Sequence, residues 1–286
     1  MISEYWMQVL ALTAINAIVG MGLYLCVLTR QLNLAQAALM GIGSYAAAVI
    51  TRNFELPFAV ALVAGGLAGG IVASLLALVI ARLRVWIFAV ATLGFGQVMV
   101  NVFLNVPYLG GAQGFHAVPN LTSPWIAFLA LAILALLFTR CQGSRVYYAF
   151  LATGDDELTT GAVGINATMI RFMAFTLSGV IAGIGGGLQI HLLGGIEPDS
   201  LGFFPSFTFL IFVIVGGERS FWGAILGAAI LTILPELLRF SAYERYILYG
   251  LILLLVMIFW PSGLLRRTRI RVRSRASRAL NIEEVR

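Results

Sequence analysis

The sequence predicts an all-α, polytopic integral membrane bundle of about eight to ten transmembrane helices. Three observations predict it. Of the 286 residues, 60% are hydrophobic and 10% charged, with a mean hydropathy of +0.98. A soluble domain is roughly 25% charged and could not bury that much apolar surface. The apolar residues fall into long runs, and irregular backbone in lipid loses hydrogen bonds worth several kcal/mol each, so such runs must be helices. The basic residues sit in the gaps between runs.

Nine runs follow one another, at 7–28, 34–50, 57–81, 86–106, 124–139, 172–193, 203–215, 222–238 and 246–260. The first has Glu4 and no basic residue before it, which reads as a retained helix and not a cleaved signal peptide. The second carries Gly41 and Gly43, and the stretch 196–216 carries Pro198, Gly202 and Pro205. Both are expected to interrupt their own helices, as segments around a transport path often do. Gly179, Gly183 and Gly187 repeat every four residues in the sixth run, and Gly223 with Gly227 in the eighth. Such spacing lets two helix backbones approach closely, within the chain or against a partner. Residues 1–265 read as one transmembrane domain, and 266–286 as an arginine-rich cytoplasmic tail.

All 18 basic residues are arginine. With the N-terminus outside and nine crossings, Arg30, Arg82, Arg84, Arg140, Arg145, Arg171, Arg219 and the tail from Arg266 onward lie inside, and Arg52, Arg239 and Arg245 outside. That is a strong positive-inside bias, and it places the C-terminus in the cytoplasm. The tail reads as an anchor beside anionic membrane lipids, not as a nucleic-acid site.

The absence of lysine excludes a phosphate-binding P-loop and Schiff-base catalysis in this chain. Cys26 and Cys141 fall at different depths and are not expected to meet. His116 and His191 have no cysteine or carboxylate at ligand spacing, so no metal site is expected. Ion-coupled carriers need a titratable or ion-binding group inside the bilayer. Here nearly all acids lie in the gaps, with Glu236, Glu197 and Asp199 at run ends. The energy for any transport is therefore expected from a partner. Gln36, Ser44, Gln97, Asn101, Ser206 and Thr208 are the polar candidates for a solute pathway, each equally able to serve as a helix-to-helix hydrogen bond.

The widest gap, 141–171, reads as a cytoplasmic excursion holding one short helix over about 153–166, with Thr153 as its cap, the acidic cluster Asp155, Asp156 and Glu157 at its positive end, and Gly164 as its left-handed stop. A short helix there can carry the movement of an attached motor, whereas the plainer reading is a solvated loop.

Asp155, Asp156 and Glu157, followed by Gly164, Ile165, Asn166, Arg171, Ala174, Phe175, Ser178, Ala182 and Gly183, resemble the cytoplasmic loop and next helix of branched-chain amino acid ABC transporter permeases. Further blocks resemble the family in the same order: 34–38 with 41–45, 110–114 through Pro119, and 216–220. Segments 234–239 and 261–264 resemble the LivM-like of its two permease types, so only the tail is left uncovered. The resemblance implies half the pore of an ATP-driven importer in the bacterial inner membrane. Its implied partners are a LivH-like second permease, two ABC ATPase subunits that hold ATP and Mg, and an extracytoplasmic solute-binding protein; the chain itself needs no cofactor and is not an enzyme. Asp155, Asp156, Glu157, Gly161, Gly164 and Ile165 would couple to the ATPase. The chain departs from the family pattern at Thr159, Thr160, Tyr148, Gly154, Arg219 and Trp260, which bears on the ATPase fit and on whether the solute is a branched-chain amino acid, urea, a short amide or an aromatic acid. The other classes open to the sequence are an ion-coupled secondary transporter or channel and an integral membrane enzyme.

Overall fold

A computed structural model describes residues 2–237 together with Gly250, Leu254, Ile258, Gly263 and Leu264. Most of the predicted run at 246–260, Leu238, Arg239, Arg245, Pro261, Ser262 and the arginine tail lie outside the described residues.

The described chain is a helical bundle: α1 (Ile2–Leu28), α2 (Gln36–Asn53), α3 (Phe58–Ile80), α4 (Val85–Asn105), α5 (Pro124–Cys141), α6 (Arg145–Asp155), α7 (Glu157–Ala162), α8 (Ala167–Leu193), α9 (Phe203–Gly216) and α10 (Phe221–Leu237). Two short strands, β1 (Phe115–His116) and β2 (Gly195–Ile196), pair antiparallel with Phe115 opposite Ile196. Six stretches among the described residues are long and apolar enough to cross a membrane, and α10 is a shorter apolar helix. The described helices coincide with the predicted runs to within a few residues, except that α1 begins at Ile2 and α8 at Ala167, each five residues before its run. For α8, the reason is local: the Asn166 side chain accepts a hydrogen bond from the Met169 amide and caps the helix there.

The centre of the bundle is α1, 83% buried over its apolar window, against 33% for α4 and 17% for α5. Side chains such as Val63, Leu67, Leu75, Val79, Trp86 and Leu129 therefore point outward. In water that would be a liability, but lipid is as apolar as they are.

Helices α2, α3 and α8 meet through glycine. A Cβ on Gly65 would stand 2.8 Å from the Gly43 carbonyl oxygen and 3.1 Å from that of Gly183. Gly223 likewise faces the backbone of α9, where a Cβ would stand 2.6 Å from the Gly216 carbonyl oxygen. The spaced glycines at 179, 183 and 187 and at 223 and 227 thus serve contacts inside the chain.

The expected interruption of α2 is corrected: the helix runs unbroken through Gly41 and Gly43. Leu201 fills the space beside Gly41, and Gly183 that beside Gly43. A helix-interior glycine weakens a helix by about 1 kcal/mol, which close packing offsets. The second interruption is present. After α8 the chain turns at Gly194 (φ 73), forms β2 and a single 3-10 turn at Pro198–Leu201, and only then starts α9. With 14 residues α9 is about 21 Å long, short of the ~30 Å hydrocarbon core.

Loops predicted on the same side of the membrane come together. At one end the Arg30 Nε donates to the Gly154 carbonyl oxygen (3.1 Å), and Arg219 lies 3.3 Å from Asp155. At the other, Arg52 donates to the His116 carbonyl oxygen (2.9 Å). Cys26 is buried and Cys141 exposed, and both are free thiols.

Candidate functional site: a two-helix elbow and a polar path

The 141–171 excursion folds as an elbow. Ser144 caps α6 by accepting from the Tyr147 amide at 3.2 Å. One face of α6 buries Tyr147, Phe150, Thr153 and Gly154, while Val146 and Tyr148 face out. At Asp156 the backbone is extended (φ −156, ψ 117), and the carboxylate accepts from the Leu158 amide at 3.0 Å and from the Thr159 hydroxyl, capping α7. The expectation of one helix capped by Thr153 is thereby corrected. Thr153 lies buried within α6, its hydroxyl without a hydrogen-bond partner. The break falls at Asp156 because a carboxylate beside its own backbone competes for the amides that a continuing helix would use. The Thr159 hydroxyl, then the Leu158 amide, hold the Asp156 carboxyl below the usual carboxylate range.

Gly164 takes the left-handed conformation at φ 81, as its expected role as a stop requires. The Ile165 amide then donates back to the Thr160 carbonyl oxygen (3.2 Å). Glu157 pairs with Arg171 on α8 through two hydrogen bonds, at 2.9 and 3.2 Å. Around Gly161 the space is open. Leu158 is 86% exposed and Val163 72%, so α7 presents apolar side chains on a segment outside the predicted spans.

The other polar assembly lies inside the bundle. Residues 29–35, which connect α1 to α2, are largely buried without being helical. A side chain of α4 bonds this segment, and side chains of α8 and α9 bond the first turn of α2 that follows it. The Leu34 amide donates to Thr92 of α4 (3.1 Å) and the Ala35 amide to Asn33 (2.9 Å). The Ala37 amide, in the first turn of α2, donates to Ser206 of α9 (3.1 Å). Gln36 donates to the Val19 carbonyl oxygen and accepts from Asn33 (2.8 Å) and from Ser178 of α8 (2.9 Å). Ser44 donates to the Met40 carbonyl oxygen (3.0 Å). In this structure Gln36, Ser44 and Ser206 are thus buried and bonded to protein.

Gln97 and Thr208 are placed differently. Gln97 is exposed and lines a groove of about 550 Å³ with Leu93, Val100, Asp199 and Phe203. Thr208 lines a second groove of about 400 Å³ with Asn16, Met40, Gln189 and Phe212. Phe204 and Pro205, at the start of α9, belong to both. Asn101, also exposed, donates to the Gln97 carbonyl oxygen (2.9 Å), and Asn105 to that of Asn101 (2.8 Å). Gln97, Asn101 and Asn105 therefore form a carboxamide stripe at four-residue spacing on one face of α4. Facing lipid, such groups would cost several kcal/mol. Water or another protein would solvate the carboxamide oxygens on that face better than lipid.

Sequence reasoning missed Asn33, Thr92 and Asn105 in these assemblies and Tyr147 in α6, and it named Ser178 and Gly154 only for their likeness to or departure from the family pattern. The 97, 101, 105 spacing was a readable signal for Asn105. Nothing local marked the others, whose partners are 58 to 142 residues away in the chain, apart from Asn33.

Residues 5–260 match the family described as branched-chain amino acid transport system, permease component. The high-affinity branched-chain amino acid transport system permease protein LivM of Escherichia coli is 30% identical, with 94% of this chain and 72% of that protein covered. Its Salmonella typhimurium counterpart is 29% identical, covering 98% and 74%. The ribose import permease protein of Escherichia coli is 25% identical, covering 88% and 84%. No solved structure matches.

Proposed function

Because the chain belongs to the family of branched-chain amino acid transport system permease components, we propose that it is a membrane-embedded permease subunit of an ATP-binding cassette importer that passes branched-chain amino acids inward. The observation that carries this reading is the match over nearly the whole chain to permeases of that system. The chain is a multi-pass inner membrane protein; its N-terminus is assigned to the outside from the arginine asymmetry.

The chain supplies half of a pathway, and a LivH-like permease the other half. Of two ATPase subunits, carrying ATP and Mg, one docks at the α6–α7 elbow of this chain, and a solute-binding protein delivers solute at the opposite face. The stripe on α4, with Gln97 and Asn101, and the second groove, lined by Thr208, support the pathway, since both grooves share Phe204 and Pro205. Gln36, Ser44 and Ser206 hold the helices behind it. Asp155, Asp156, Glu157, Gly161, Gly164 and Ile165 shape the elbow for the ATPase, with Leu158 and Val163 as its apolar contact. The permease is not itself an enzyme; hydrolysis resides on the ATPases.

Transport by the five-subunit importer in proteoliposomes tests this. Leucine uptake should need ATP and binding protein, and persist after ion gradients are collapsed. Uptake by the purified chain alone would overturn the reading. The ribose permease relative motivates a second reading, a different small polar solute, which a competition series with sugars against leucine decides.

A further inference from the structure

The coupling step leaves open which helix receives the push. Resting on the elbow's role as the ATPase contact, we propose that α6 and the C-terminal end of α1 form one rigid unit, with Gly154 as its positioning residue. Displacement of the elbow then reaches α4 and α9 through the buried 29–35 segment.

Three contacts fuse α6 to α1. The Tyr24 and Tyr147 hydroxyls share a buried hydrogen bond at 3.0 Å. One turn further along α1, Gly154 lies against the end of the helix so closely that a Cβ there would overlap the Leu28 carbonyl oxygen and stand 3.1 Å from its carbon. Arg30, just past that end, donates to the Gly154 carbonyl oxygen at 3.1 Å. No side chain larger than hydrogen fits at 154, and the obstacle is backbone, which cannot rotate aside.

Beyond Arg30 the chain is held at three points. Residues 29–35 are tied at Gln31 to the Cys26 carbonyl oxygen (2.8 Å), at Leu34 to Thr92 of α4, and just beyond, at Ala37, to Ser206 of α9. The helices at the far end of this chain of contacts, α4 and α9, are those that line the groove beside Gln97. Glu157 and Arg171 give the elbow a second attachment, on α8. That ion pair is partly exposed, so solvent screens it, and α6 and α7 also pack on α8 beside it. The α1 attachment is buried backbone contact, and packed interiors transmit displacement where flexible ones dissipate it.

The test uses the reconstituted importer with both permeases, both ATPases and binding protein, reading uptake and ATP hydrolysis side by side. Gly154→Val should keep ATPase subunits bound and hydrolysis running while uptake falls at least tenfold. Tyr147→Phe, which keeps the ring and loses the hydroxyl, should lower uptake a few-fold in the same uncoupled pattern. Wild-type uptake in Gly154→Val would overturn the proposal. If Gly154→Val does not assemble, crosslinking decides. Val27→Cys and Leu151→Cys, with Cys26 and Cys141 replaced by serine, put two thiols in the niche between α1 and α6. A short reducible bridge across them should leave uptake within about twofold if the two helices move together. Loss of uptake that reduction restores would overturn the rigid unit. Failure of the elbow's docking role is separately visible, as normal ATPase retention and uptake in Glu157→Lys.

Discussion

Gly69 of α3 and Gly179 of α8 press backbone against backbone. A Cβ on Gly179 would stand 2.7 Å from the Gly69 carbonyl oxygen, and one on Gly69 2.5 Å from that of Gly179. In lipid no hydrophobic force pulls these helices together, so this contact depends on packing and on the absence of side chains.

Gly179→Leu should therefore separate α3 from α8. We expect a loss on the order of 1–3 kcal/mol or more from overpacking, read as a lower unfolding midpoint in detergent. Gly94, around which a Cβ meets nothing within 4 Å, is the control, and Gly94→Ala should be neutral or slightly stabilising. Equal effects at the two positions would refute the packing account.

The sidedness of the elbow is checked by thiol labelling in intact cells, with Cys141 replaced by serine. An impermeant reagent should reach Ala112→Cys, in the loop before β1, and leave Gly161→Cys unlabelled until the membrane is opened. Gly161 has open space around it, so shielding by neighbours would not explain protection. The reverse pattern would invert the topology.

Asp156 caps α7, and Asp156→Ala should speed amide hydrogen exchange several-fold at Leu158 to Thr160, whereas Asp156→Asn should retain most of the protection. The pH dependence has a definite sign. The folded-state pKa lies below the ordinary carboxylate value, with the Thr159 hydroxyl as the largest cause. The cap's contribution is thus fully present above the ordinary value, about pH 4, and is lost as pH falls through the lowered one. Protection that weakened between pH 8 and 6 would contradict the assignment.

For the α4 stripe, Gln97→Leu combined with Asn101→Leu should leave insertion intact, since it makes the helix more apolar, yet reduce solute uptake by the assembled importer several-fold. Unchanged uptake would remove the stripe from the pathway. A cysteine at 97 or 101 should react with water-soluble thiol reagents in the importer, and one at Gln36, which is fully buried, should not.

Much of the fold is legible in the sequence because lipid simplifies the problem. An apolar run in a bilayer has one satisfactory conformation, so runs such as 57–81 and 124–139 read directly as α3 and α5, and the arginines between them assign sides. Gly164 was readable for an equally local reason, as a left-handed stop needs only the residue itself. Glycines 41 and 43 looked like a break, and only the tertiary structure shows them as a meeting surface. A glycine weakens its own helix and admits a neighbouring one, and which effect wins depends on whether Leu201 and Gly183 arrive there. The cap at Asp156 was missed by three residues, because Thr153 and Asp156 are equally competent caps in sequence, and only the structure shows Thr153 buried within α6 and the Asp156 carboxylate on the amide of Leu158. Composition and periodicity determined by themselves that this chain spans a membrane as helices, and in what order. Which polar groups are spent on holding the bundle and which face a pathway was decided by long-range partners such as Ser178 for Gln36 and Ser206 for Ala37, since a buried carboxamide and an exposed one differ only in what surrounds them.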